Sequence, residues 1–183
     1  DGAMRWDWEF ILKESLVGIQ KAADLGPVTS LAIDSWAVDY GFLDSAGKEL
    51  LPIRSYRDPR NQVAFEATLA KYGKERIYQT TGIQFLSLNS IYQLIAAKSD
   101  PNYAGAAQFL LVPDFMNHAL TGVASTEITK TCDPKRSAIS AINSGRAIAD
   151  VFIETLSAPA RSKRSTSSTL RIPPPTVKGI KTC

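Results

Sequence analysis

The chain has 183 residues, of which 44% are hydrophobic and 21% are charged, and its formal net charge is +3. This length can bury one ordinary hydrophobic core, so a single domain is the starting expectation. Nothing near the N-terminus has the apolar core of a signal peptide, and no apolar run is long enough to span a bilayer, so we expect no membrane segment. Cys132 and Cys183 show no metal or redox spacing, which is the pattern expected in a reducing cytoplasm.

Charge and aromatic content divide the chain near Thr129. Residues 1–129 hold 11 Lys/Arg and 15 Asp/Glu, a net charge of −4, whereas residues 130–183 hold 10 and 3, a net charge of +7. Of the aromatic residues, only Phe152 lies beyond Phe115. We therefore expect one folded unit over residues 1–129 and a segment of a different kind over residues 130–183.

The first predicted element is an amphipathic helix from about Asp7 to Asp24, which Gly26 and Pro27 terminate. Its apolar side chains recur at helical spacing and are Trp8, Leu12, Leu16, Ile19 and Ala23. A short apolar run from Val28 to Ile33 then predicts a covered strand that emerges at Asp34. A helix that leads into a strand is the rhythm of an α/β domain.

A β-hairpin follows this strand. Residues from Val38 to Leu43 form its first strand, Asp44 to Gly47 form a four-residue turn, and the return strand runs from Lys48 to Pro52. Trp36 lies between the two predicted strands, at a strand end where α/β folds commonly place ligand contacts.

The remainder of the first 129 residues is predicted to be mostly helical. Helices are expected from Arg60 to Tyr72, with Val63, Ala67 and Ala70 inward, and from Lys74 to Thr80. An irregular stretch from Gln84 to Asn89 then precedes a helix from Ser90 to Lys98, with Ile91, Leu94 and Ile95 inward. A helix start at Asp100, a buried strand from Phe109 to Val112 and a helix from Pro113 to Gly122 complete the prediction. His118 on this last helix is expected at the surface.

Several stretches resemble one family in the same order and spacing. They are AIDSWAVDYGFLDSAGKELLP from Ala32, YRDPR from Tyr56 and TGIQFL from Thr81, with Asp7 after Trp6, Asn89, the run Tyr92-Gln93-Leu94, Pro113-Asp114 and Leu120-Thr121-Gly122 in register around them. They resemble the N-terminal domain of the FGGY carbohydrate kinases, and within that family the rhamnulokinases. The resemblance extends to about Thr129, roughly the first two-thirds of the chain.

The resemblance implies an α/β fold, an incomplete N-terminal domain of the actin-like and ribonuclease-H-like ATPases. It also implies phosphoryl transfer from ATP, with Mg²⁺, to a hydroxyl of a ketose such as L-rhamnulose, in the cytoplasm. The family's glycine-rich phosphate hairpin and catalytic Asp match no stretch of this sequence. On this interpretation the chain is a piece of a kinase that holds part of the sugar pocket, and we expect it to be inactive alone.

Seven residues are candidate sugar contacts, namely Trp36, Ala37, Arg57, Asp58, Arg60, Gln84 and Asn89. Glycerol kinases of this superfamily have an Arg-Glu pair that aligns with Trp36 and Ala37, so the resemblance implies a more apolar wall here, suited to a deoxy sugar. Rhamnulokinases commonly have Gly at Ala37. Four of these candidates have a structural alternative, Trp36 as a core indole and Arg57, Asp58 and Arg60 as an ion-pair cluster. Asp39 nearby is either a site residue or a solvated or hairpin-stabilising one.

Two other functions remain open at this stage. One is a non-catalytic protein that pairs with a full-length kinase. The other is a metal-dependent nuclease on the related fold, with Asp34, Asp39, Asp58 and Asp114 as its carboxylates.

Residues 130–183 do not match the family. Their composition favours a largely irregular or disordered tail with one possible helix, on which Ile148, Val151, Phe152 and Leu156 share a face. A frameshifted or misjoined reading frame is the favoured origin, and an unfamiliar insertion is the alternative. The basic run from Arg161 to Arg164 lacks interleaved aromatics, so we expect no nucleic-acid partner.

Overall fold

The computed structural model describes residues 2–126. The helices are α1 (Trp8–Leu25), α2 (Arg60–Tyr72), α3 (Lys74–Thr81), α4 (Ser90–Ala97) and α5 (Val112–Thr121), and the strands are β1 (Tyr40–Leu43), β2 (Glu49–Leu50) and β3 (Gln108–Leu111), with a 3-10 turn at Pro101–Gly105. The predictions for residues 130–183, including both cysteines and the helix around Phe152, lie outside the described residues.

The three strands form one antiparallel sheet in the order β2-β1-β3. In register, Tyr40 lies opposite Leu111, and Leu43 lies opposite both Gln108 and Glu49. The hairpin prediction is confirmed, since Asp44 accepts the turn's backbone N–H groups and Gly47 has a φ of +80°. β3 continues directly into α5, whose first turn therefore packs back onto the sheet.

The main core lies between this sheet, α1 and α5. Its buried members are Trp8, Leu43, Ile53, Leu110, Val112, Phe115 and Met116. The Trp8 and Phe115 rings meet edge to face with centroids 4.9 Å apart. This contact orders the start of α1, where Asp7 caps the helix by accepting from the Phe10 N–H at 3.0 Å.

The predicted strand from Val28 to Ile33 is wrong. These residues have no regular secondary structure, and Val28 and Leu31 are 47% and 56% exposed. A strand forms only when a neighbour accepts and donates its ladder hydrogen bonds. No segment within residues 2–126 pairs with this one.

Two inward faces were predicted incorrectly or incompletely. On α2 the side chains of Val63, Ala67 and Ala70 are exposed. The buried face instead carries Asn61, Ala64 and Thr68. The buried polar groups are accommodated because Asn61 donates its amide to the Tyr56 carbonyl at 3.0 Å and Thr68 donates its hydroxyl to the Ala64 carbonyl. On α4, Leu94 is buried as predicted, but Ile91 and Ile95 are only partly covered.

His118 is not the surface residue that the sequence suggested. Its side chain is only 12% exposed, and its Nδ1 lies 3.9 Å from the carboxylate of Glu49. The other oxygen of Glu49 accepts from the Trp8 indole at 3.0 Å. Glu49 on β2 therefore lies between α1 and α5.

Candidate functional site

Asp39, which immediately precedes β1, is the centre of a buried polar network. Its side chain is fully buried, and its Oδ2 accepts from Trp6 Nε1 at 2.6 Å and from Trp36 Nε1 at 2.9 Å. Its Oδ1 accepts from Gln93 Nε2 on α4 at 3.2 Å. These four residues, Trp6, Trp36, Asp39 and Gln93, are called the Asp39 network below.

The environment of Asp39 has opposing electrostatic effects. Burial raises the pKa of the Asp39 carboxyl above its usual value, because the charged form loses hydration. The hydrogen bonds from the two indoles, the Gln93 amide and the Tyr56 backbone act in the opposite direction but do not overcome burial. A solvated role for Asp39 is therefore ruled out, since no part of its side chain meets solvent.

The residue before Asp39 has a strained backbone. Val38 has a φ of +71°, a left-handed conformation that is a genuine outlier for a β-branched residue and costs about 1–3 kcal/mol. Its carbonyl accepts from the Ser90 hydroxyl at 2.6 Å and from Gln93 Nε2 at 3.2 Å. The start of α4 thus holds in place the turn that carries Trp36 and Asp39.

Trp36 connects this network to an open groove. Its ring packs on that of Trp6 with centroids 4.5 Å apart and planes inclined by 41°. The half-buried Trp36 also lines a groove of about 400 Å³ between α1, residues 31–36 and α5. Trp36 contacts the core and the groove at once, and Ala37 beside it is exposed.

A second polar group lies on the loop before α2. Asp58 is buried and accepts from the backbone N–H groups of Met4 and Arg60 and from the Arg54 guanidinium. Asp100 pairs with both Arg54, at 3.0 Å, and Arg60. Arg54, Asp58, Arg60 and Asp100 are called the arginine–aspartate cluster below.

The predicted ion-pair cluster of Arg57, Asp58 and Arg60 is only partly correct. Arg57 is exposed, and its Nε donates to the Tyr56 hydroxyl at 3.0 Å. Its guanidinium lies over the Tyr56 ring. Arg54 and Asp100, from outside the predicted set, complete the cluster instead.

The arginine–aspartate cluster borders a cleft of about 430 Å³. Arg54, Arg60 and Asp100 line it together with Tyr40 of β1. Burial raises the pKa of the Tyr40 hydroxyl far above its usual value, and the nearby Arg60 opposes the shift. Because Tyr40 follows Asp39 directly, the cleft and the Asp39 network adjoin along the chain.

Gln84 and Asn89 lie at the two ends of the irregular stretch before α4. The Asn89 amide donates to the Gln84 carbonyl at 2.9 Å, and the Gln84 side chain is exposed. The irregular stretch between them is confirmed, and Asn89 directly precedes α4. The structure therefore brings these two residues together, and the Asn89 carbonyl also contacts the Asp39 network by accepting from the Gln93 backbone N–H at 3.4 Å.

The carboxylates proposed for a nuclease do not form a metal site. Asp39 accepts from three side-chain donors, and Asp58 is paired with Arg54. Within residues 2–126 no three His, Cys, Asp or Glu side chains are grouped to hold a metal ion. In the same part of the chain no helix is both long and apolar enough to cross a bilayer.

Sequence reasoning missed four residues of these two groups: Trp6, Arg54, Gln93 and Asp100. For Gln93 a usable signal existed, because Asn89, Gln93 and Ala97 recur at four-residue spacing beside the apolar face of α4. For Trp6 and Asp100 no local pattern indicates the partners, which are 33 to 46 residues away, whereas Arg54 lies only four residues before its partner Asp58.

Comparisons with known proteins find relatives over part of the chain. No protein-family model matches the chain. It is 44% identical over 128 residues to a rhamnulokinase of Oceanobacillus iheyensis, covering 68% of this chain and 27% of that protein. It is 40% identical over 136 residues to a rhamnulokinase of Bacillus subtilis, covering 70% and 27%. The chain thus spans about a quarter of the length of the curated relatives it matches.

Solved structures give the fold. A xylulose kinase and a gluconate kinase, both from Lactobacillus acidophilus, superpose with a TM-score of 0.59 at 17% identity, each over 67% of this chain and 26% of the other. The fold is that of sugar kinases of the actin-like ATPase class, as the sequence predicted. Over the matched residues, the chain is similar in sequence to part of the rhamnulokinases, which are sugar kinases of the FGGY type.

Proposed function

We propose that this chain forms the sugar-facing part of an ATP-dependent kinase that phosphorylates a ketose in the cytoplasm, with L-rhamnulose as the ketose. The observation that carries the proposal is the 44% identity to a rhamnulokinase over 128 residues, which spans both polar groups described above. The structural neighbours support sugar kinase chemistry in general and do not distinguish among sugars.

The wall formed by Trp36 and Ala37 suits a deoxy sugar. An indole and a methyl group offer apolar surface to the methyl terminus of L-rhamnulose, whereas a triol would leave hydroxyls unpaired against them. Sugar hydroxyls need donors and acceptors, and Arg57, Asp58, Arg60, Gln84 and Asn89 are the proposed sources. Arg57 and Gln84 are the most exposed of these.

ATP and Mg²⁺ belong to the proposed reaction. Transfer of a phosphoryl group needs phosphate-binding donors, a metal and a base for the accepting hydroxyl. Residues 2–126 gather no group of side chains suited to a metal. No step of the transfer is therefore assigned to them, and their proposed role is to bind and orient the sugar.

The test is a calorimetric titration of the full chain with L-rhamnulose and, separately, with glycerol. We expect L-rhamnulose to bind more tightly than glycerol, and Trp36→Ala to weaken L-rhamnulose binding about tenfold, the loss of one buried apolar contact. We expect no ATP-dependent turnover above background in a coupled ADP assay. Ile77→Val, a conservative change in the 2% exposed Ile77, is the control for general destabilisation.

Equal affinity for both compounds, or no heat with L-rhamnulose, would contradict the proposed substrate. Turnover that Trp36→Ala abolishes would show that the chain is a working kinase on its own.

A second candidate function is non-catalytic pairing with a full-length kinase. The observation that favours it is an exposed apolar face on α1, where Leu16 and Val17 are 50% and 38% exposed and lie beside Leu12. Such a face is often covered by a partner.

We expect the tagged chain to co-purify with a full-length rhamnulokinase. The double variant Leu16→Glu, Val17→Lys should no longer co-purify with it. Glu14→Lys, an exposed position of the same helix outside this face, is the charge control, and recovery of the double variant equal to wild type would exclude pairing through α1.

A further inference from the structure

We infer that Asp39 is a positioning residue that sets the orientation of the Trp36 indole and thereby the shape of the wall that the sugar meets. The part of this inference that concerns the sugar rests on the proposed function. The part that concerns the indole rests only on the contacts below.

Asp39 controls the only hydrogen-bond donor that Trp36 has in its side chain. An indole donates only through Nε1, so the position of the acceptor determines the orientation of the ring. Here the acceptor is Asp39 Oδ2, at 2.9 Å. The same oxygen accepts from Trp6 at 2.6 Å, and the two rings stack on each other. One carboxylate oxygen thus holds both rings as a pair.

Asp39 acts through Trp36 and not on a ligand directly. Its side chain is fully buried, whereas Trp36 lines the groove between α1 and α5. Asp39 is itself held from the far side, because Gln93 Nε2 donates to its Oδ1 and also to the carbonyls of Val38 and Leu88. The orientation is therefore transmitted from α4 through Gln93 and Asp39 to Trp36.

Two unfavourable features coincide at this turn, and packing alone does not require either of them. Asp39 is a carboxylate removed from water, and the preceding Val38 is held at a φ of +71°. An apolar residue of similar size would fill the same space without the loss of hydration. Residues with a strained backbone cluster at binding sites, where the surrounding structure holds them in place. Ala37, which is exposed and directly precedes Val38 and Asp39, is a candidate sugar contact.

The experiment uses the full chain labelled with ¹⁵N, which has three tryptophans and therefore three indole N–H signals. Single Trp→Phe variants assign them. In Asp39→Asn, we expect the Trp36 indole proton to exchange with solvent about tenfold faster, because asparagine has one acceptor oxygen and one N–H₂ donor where the carboxyl group accepts three hydrogen bonds through two oxygens. The Trp8 indole, bound to Glu49 at 3.0 Å, is an internal control and should not change.

Glu49→Gln is the matched control variant, since it replaces the carboxylate that accepts from Trp8. We expect it to speed exchange at Trp8 and to leave Trp36 unchanged. In parallel, Asp39→Asn should weaken L-rhamnulose binding about tenfold, whereas Glu49→Gln should leave it within about twofold of wild type.

Trp6→Phe provides a test that keeps the buried carboxylate in place if Asp39→Asn does not fold. It removes the competing donor on Asp39 Oδ2, so exchange at the Trp36 indole should slow. Trp36 exchange that is unchanged in Asp39→Asn would overturn the inference. If that variant does not fold, unchanged exchange in Trp6→Phe would overturn it.

The exchange and binding measurements together distinguish failure of the inference from failure of the proposed function. If Asp39→Asn frees the indole but binds L-rhamnulose as well as wild type does, Asp39 is only structural and the inference is wrong. If the wild-type chain binds no L-rhamnulose, the proposed function fails, and the exchange rates alone decide whether Asp39 orients Trp36.

Discussion

Replacing Gly41 by alanine is expected to destabilise the fold by roughly 1–3 kcal/mol, the usual cost of overpacking a core. A Cβ on Gly41 would lie 2.5 Å from two ring carbons of Phe115. Phe115 is fully buried, so its ring has no free space to move into. Urea unfolding of the full chain, followed by circular dichroism, measures the change. Gly18→Ala in α1 is the control, because its Cβ meets nothing within 4 Å.

The same contact predicts a coupled response from Phe115. Phe115→Ala alone should cost about 3–5 kcal/mol, because it opens a cavity between Trp8, Leu43 and Met116. In that background Gly41→Ala should cost far less than in wild type, since the ring it would strike is gone. A double-mutant cycle gives the coupling free energy. Strictly additive effects would mean that α5 does not pack on Gly41 as described.

Local signals in the sequence predicted most helix ends and the hairpin. Gly73 and Gly82 end α2 and α3 where expected, because both adopt a positive φ that other residues adopt at a cost. The turn before Gly47 likewise depends on residues within four positions of one another. Each of these features is determined by neighbours in the chain, so the chain alone is sufficient to find it.

Features that depend on distant partners could not be predicted in this way. The run from Val28 to Ile33 has a strand's composition, but no described segment pairs with it. On α2 the pattern of small apolar residues predicted that Val63 is buried. Asn61 is buried instead, and its amide N–H₂ donates to a loop carbonyl. Composition identifies an apolar surface, and only the partner decides which surface is covered.

The candidate site shows the same limit. Trp36 and Asp58 were identified because they follow recognisable strand and loop signals near each other in sequence. The long-range partners Trp6 and Asp100 could not be assigned, since the indole of Trp6 reaches Asp39 across 33 residues and Asp100 reaches Arg54 across 46. A buried carboxylate that accepts from two indoles has no signature in sequence beyond the Asp itself.

The unfolding free energy of the chain is expected to depend on pH through the ionisation of Asp39. Its folded-state pKa is raised, chiefly by burial, so folding favours the protonated carboxyl. The contribution of Asp39 is therefore most favourable below its unfolded pKa of about 3.8 and is lost as pH rises through the higher folded pKa. The groups that face it are the indoles of Trp6 and Trp36, the Gln93 amide, the Tyr56 backbone N–H and the neighbouring Tyr40.

The change is isolated by comparing wild type with Asp39→Asn, which cannot ionise. We expect the unfolding free energy of wild type to fall relative to the variant as pH rises from 3.8, and the difference to become constant above the folded pKa. Urea unfolding of both proteins in steps across this range measures it, and other carboxylates cancel in the difference. A difference that grows in favour of wild type as pH rises would mean that the hydrogen bonds outweigh burial, and that Asp39 is held as a stabilised anion.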